Sequence, residues 1–98
     1  MMDKYILKKS SRKDKKYMVL IDNKKIHFGQ KGFTDFTINK NPEKKKLYIS
    51  RHNKRENWNK SGIETAGFFA RWLLWNKPTL RDSISDTEKR FNINIIKK

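Results

Sequence analysis

The chain has 98 residues and a formal net charge of +15, from 25 Lys and Arg against 10 Asp and Glu. That length suits one domain, and charge of that density points to an acidic partner, most commonly a phosphate backbone. The absence of cysteine excludes disulfides and thiolate metal sites, and the longest apolar stretch, around Ala66–Trp75, is broken by Arg71 and too short to span a bilayer.

Lys4–Lys9 alternates in polarity and predicts a short strand. Ser10–Lys16 is polar and basic throughout and reads as an exposed loop or hairpin tip, and Met1–Lys16 holds no apolar run of the kind a secretion signal needs. Tyr17–Ile21 has apolar residues on both faces, as a central strand does. Asp22-Asn23-Lys24 is a turn signal, since Asp and Asn tolerate left-handed backbone. Lys25–Phe28 resumes as a strand with Ile26 and Phe28 inward, and Gly29 and Gly32 bracket another turn. Together these segments predict a three-stranded antiparallel meander over about 4–38. Phe33–Ile38 reads as either a loop or an edge strand, with Phe33, Phe36 and Ile38 pinning it to the core.

The helical part is expected over about 42–91. Asn41-Pro42-Glu43 combines a capping residue, a proline suited to the first turn and an acid, and predicts a helix to about Asn57. Ser61 and Glu64 match a capping box that opens a helix over Ile63–Trp75, apolar almost all round and therefore central. Pro78 stops it, and Thr79 caps a last helix to about Phe91 with Leu80, Ile84, Thr87 and Phe91 as its inward stripe. The tail, Asn92–Lys98, either adds a strand through Ile93 and Ile95 or frays. High charge with few apolar residues is also the signature of disorder, but twelve clustered aromatics supply a core. The expected class is α+β: one domain with a small meander, three helices, and Phe68, Trp72, Leu73 and Trp75 central.

Charge is uneven, with a net +12 over residues 1–60 and +3 over 61–98. Lys, Ile and Asn make up 38 of the residues, an AT-rich codon bias that explains Lys over Arg but not the scarcity of acids. The first candidate site is the basic hairpin region, Lys8, Lys9, Arg12, Lys13, Lys15 and Lys16, with Lys24, Lys25 and Lys31 near the other turns. Lysine is a flexible point charge suited to phosphate rather than to base edges; the plainer alternative is a solvated loop. The second is the polar helix with Lys44, Lys45, Arg51, His52, Lys54 and Arg55, where Lys44, Tyr48, Arg51 and Arg55 fall on one stripe. The third is Trp58, a stacking candidate because its neighbours are polar.

His27, Asp35, Arg51, His52 and Glu56 are the residues from which a catalytic site could be built, with His52 and Glu56 able to face each other at i, i+4; a surface pair of Glu56 with His52 or Lys60 is the plainer reading. They match no metal motif, and glycine-rich phosphate loops, nucleophile elbows and dinucleotide fingerprints are absent from the sequence. The expected function is therefore non-catalytic nucleic-acid binding, needing no cofactor, with DNA favoured over RNA and the oligomeric state left open. The alternative is a structural or adaptor protein whose basic face binds an acidic protein or virion component.

YISRHNKREN, followed by Trp58 and by SGIETAGFFARWLLWNKPTL, resembles a group of short uncharacterised proteins of giant double-stranded DNA viruses, as do KKSSRKDKKYMVLIDNKKIHFGQKGFTDFT and KRFNI. The resemblance carries over no catalytic residues. It implies a large DNA genome as context, in genome packaging, replication or transcription, and a location in the host cytoplasm, a viral factory or the virion.

Overall fold

The computed structural model describes residues 4–98. Strands β1 (Lys4–Lys9), β2 (Lys15–Ile21) and β3 (Lys24–Gln30) form the expected antiparallel meander, with Leu7 opposite Val19 and Tyr17 opposite Phe28. This register sets Tyr5, Leu7, Val19 and Phe28 on one face, all buried. Ile6 and Leu20 alternate onto the other face, half-buried and outside the core. β2 starts earlier than predicted because Lys15 pairs with Gln30 across the hairpin and the Lys16 ammonium is neutralised by Asp35 at 2.6 Å. β3 runs on through Gly29, whose φ of +75° favours a residue without Cβ.

The tail is a strand. β4 (Asn94–Lys97) pairs in parallel with β1, Tyr5 against Ile95, giving the order β3-β2-β1-β4 in a mixed sheet. Its placement buries Ile93 and Ile95.

Phe33–Ile38 is neither a strand nor wholly a loop. Its second half turns into α1 (Phe36–Asn39), because the Asp35 carboxylate accepts from the Thr37 amide at 2.9 Å and caps the turn. Of the three apolar residues expected to pin it, only Phe36 is buried; Phe33 is 64% exposed and Ile38 61%. α2 (Pro42–His52) starts as predicted, with Asn41 accepting from the Glu43 amide at 2.9 Å. It stops at His52 rather than near Asn57, since with no buried residue it has little packing to extend it.

The predicted capping box does not form. Ser61 lies in a 3₁₀ turn (Lys60–Gly62) and Glu64 has a φ of +75°. Thr65 is the cap instead, its hydroxyl accepting from the Phe68 amide at 3.2 Å. α3 (Ala66–Phe69) then widens into a π-helical segment (Ala70–Leu74), where the Trp75 amide donates to the Ala70 carbonyl at 3.1 Å. Phe68, Phe69, Trp72, Leu73 and Leu74 are all buried, whereas Trp75 is only half-buried. α4 (Leu80–Phe91) is capped by Thr79 as predicted, and Phe91 packs on Phe68 and Trp72 with ring centres 4.9 and 5.3 Å away. Thr87, fully buried on its inward stripe, shares its hydroxyl between the Trp72 and Ser83 carbonyls at 3.1 and 2.7 Å. The result is one α+β domain, a four-stranded mixed sheet with four helices, the core lying where α3, the π segment and α4 meet the sheet.

Candidate nucleic-acid interface

A cleft of about 470 Å³ opens between the start of β2, the loop before α1, the end of α2 and α3. A second of about 310 Å³ continues it along α2. They share Phe33, Thr34, Tyr48, Arg51, His52 and Trp75, so they form one groove. Lys15 and Gln30 line one end of it, and Lys44 and Leu47 the other.

The aromatic side of the groove is ordered by stacking. Tyr48 lies 4.6 Å from Trp75 at an interplanar angle of 5°, and 4.2 Å from the His52 ring. His52 Nδ1 lies 3.0 Å from the Tyr48 carbonyl. A carbonyl can only accept, so Nδ1 carries a proton and Nε2 is the nitrogen left for a ligand. Burial, reinforced by the Glu56 charge, pushes the Tyr48 hydroxyl up to about 12, so it stays neutral and a donor.

The candidate cations are not all gathered at one place. Lys15, Lys16, Lys44, Arg51 and His52 line the groove, Lys16 with its ammonium already taken by Asp35. Lys9, Arg12, Lys13 and Lys31 lie beside its β2 end, where the Lys31 amide bonds to the Asp14 carbonyl at 2.9 Å; Arg12 is paired there with Asp14 at 3.0 Å. Lys54 and Arg55 are exposed just past α2, off the helical stripe predicted for Arg55.

Other candidates are placed elsewhere or used internally. Lys24 and Lys25 are at the far end of the sheet, about 20 Å away along β2, and Lys24 pairs with Glu64 at 3.5 Å. Lys8 lies on the other sheet face, opposite Met18. Lys16 is held inside, donating to buried Asp35 at 2.6 Å and to the Phe33 carbonyl. Lys45 donates to the Asn76 carbonyl at 2.7 Å and sits over the Phe36 ring; burial, with Arg71 and Lys77 nearby, lowers its pKa. Trp58 is half-buried against the core under Arg71, not a free platform, and its carbonyl accepts from Trp72 Nε1 at 2.9 Å. Trp58 Nε1 and Arg71 Nε are buried donors without a hydrogen-bond partner among the described residues.

Four of the five residues weighed for catalysis line the groove, namely Asp35, Arg51, His52 and Glu56. His27 does not; its Nδ1 lies 2.7 Å from the Ser10 hydroxyl at the base of the β1–β2 hairpin. Asp35 is engaged by Lys16 and Thr37; the Glu56 amide still donates to the His52 carbonyl at 3.1 Å, but among the described residues their side chains form no hydrogen bond or ion pair. Among the described residues, no three His, Cys, Asp or Glu side chains are grouped to hold a metal ion, and no helix is long and apolar enough to cross a membrane.

Sequence reading missed Phe33, Leu47 and Trp75 as groove residues. The sequence pattern points Phe33 and Trp75 inward, and the polarity of α2 is the one hint it holds that Leu47 has nothing to pack against.

Residues 5–52 match the model of a family of unknown function (DUF5754). The match covers just under half of the chain, from β1 to the last residue of α2. It includes every groove cation as well as Phe33, Leu47 and Tyr48, and leaves out Glu56 and Trp75. No curated protein and no solved structure matches the chain.

Proposed function

We propose that this protein binds nucleic acid without catalysis, through phosphate contacts of low sequence specificity, with DNA favoured over RNA. The observation that carries the reading is that Lys44 and Arg51 line the groove and, among the described residues, neither is ion-paired. Unpaired cations beside a concave surface attract a polyanion and release its counterions on binding. The viral resemblance supplies a setting, a large DNA genome to be packaged, copied or transcribed.

Fluorescence anisotropy with labelled oligonucleotides across a salt series tests this. Affinity should fall log-linearly with salt, and Lys44→Ala with Arg51→Ala should weaken all sequences alike and flatten the slope by about two. No binding at low salt, or an unchanged slope in the double variant, would overturn it.

A second reading rests on the open sheet face, where half-buried Ile6, Leu20 and Ile96 are flanked by exposed Lys8 and Lys25. That mixture suits an acidic protein with an apolar centre. Tight, salt-insensitive capture of one protein that Leu20→Asp abolishes would favour it.

A further inference from the structure

We infer that the groove takes unpaired nucleotides, seating a base against Phe33 and Leu47 while Lys44 and Arg51 hold the backbone. The inference rests on the nucleic-acid reading and adds the strand state and the part of the nucleotide that enters.

Three observations lead there. Phe33 and Leu47 are 64% and 53% exposed, and both line the 310 Å³ cleft beside the Tyr48–Trp75 ring pair. Singly exposed apolar residues are ordinary, but two at one cationic groove form a surface for the flat face of a base. The dimensions agree, because connected clefts of about 470 and 310 Å³ are of the size that encloses a small molecule. A duplex keeps its base faces stacked inside and offers protein only its backbone and groove edges, so it cannot reach Phe33 in this way.

The charge pattern gives the orientation. Lys44 and Arg51 border the apolar part, while the adjoining 470 Å³ cleft, which Lys15 and Arg51 also line, holds Glu56 close against Gly67: a Cβ built on Gly67 would lie 1.7 Å from Glu56 Oε2. A carboxylate there repels phosphate and accepts from amino groups on a base edge. Lys44 and Arg51 therefore hold the backbone beside Phe33 and Leu47, and a base edge that reaches Glu56 meets an acceptor.

The test compares one short labelled oligonucleotide as a single strand and as a duplex, at the same salt, with wild type and Phe33→Ala. Wild type should bind the single strand more tightly. Phe33→Ala should weaken the single strand about tenfold or more and leave the duplex unchanged. Because Phe33 is exposed, an unaltered melting temperature is expected and checks that the variant folds. If both forms bind equally, or if Phe33→Ala leaves single-strand affinity intact, the inference falls and the phosphate reading stands. If neither form binds at low salt, both fall.

Discussion

Gly62 shows how little space one position can have. A Cβ there would lie 2.1 Å from the Asn57 carbonyl oxygen, a backbone atom that cannot swing away. Gly62→Ala is expected to lose on the order of 3 kcal/mol, the upper range for overpacking. Gly32 is the comparison: nothing lies within 4 Å of its would-be Cβ, and only a φ of +88° opposes a side chain. Gly32→Ala should lose about 1 kcal/mol, and urea denaturation of both variants measures the difference. Equal midpoints would mean that the turn at Gly62 relaxes freely. Lys16 gives the same lesson for charge. Its ammonium is committed to Asp35, which is only 2% exposed, so removing it should unsettle the fold before it affects any ligand.

Element boundaries follow caps, and the cap of α3 can be tested. Thr65→Ala should destabilise by about 1 kcal/mol, a typical cap loss, while Ser61→Ala, whose hydroxyl accepts only from exposed Asn57, should change stability by less than about 0.5 kcal/mol. Thermal melts distinguish them, and the reverse order would restore the Ser61–Glu64 box. That box was persuasive because its spacing is right, yet positive φ at Glu64 takes it out of the helix. The meander, the Asn41 and Thr79 caps and the buried Phe68, Trp72 and Leu73 were legible because alternation, capping chemistry and apolar density are local properties. The direction of β4, the π widening and the end of α2 were not, since each depends on what distant residues pack against. The site was half legible in the same sense. Its cations are visible in the sequence, but the apolar wall between them required knowing that Phe33 faces outward.

For the whole molecule, +15 on 98 residues means that the folded state concentrates like charge. Added sodium chloride should therefore raise the melting temperature while lowering nucleic-acid affinity, because screening relieves self-repulsion and weakens phosphate attraction. Calorimetry in low and moderate salt checks the first half; a flat or falling melting temperature would mean that the Lys16–Asp35 and Arg90–Asp86 pairs outweigh the repulsion. The parallel pairing of Tyr5 with Ile95 carries a consequence for biosynthesis. A ribosome making about 5–20 residues per second finishes β1 several seconds before β4 exists. From the time β2 and β3 pair until β4 arrives, the β1 edge of the meander is an unpaired strand, the form in which nascent chains join neighbouring copies. Lys4, Lys8 and Lys9 lie along that strand. Their like charges would keep newly made chains apart.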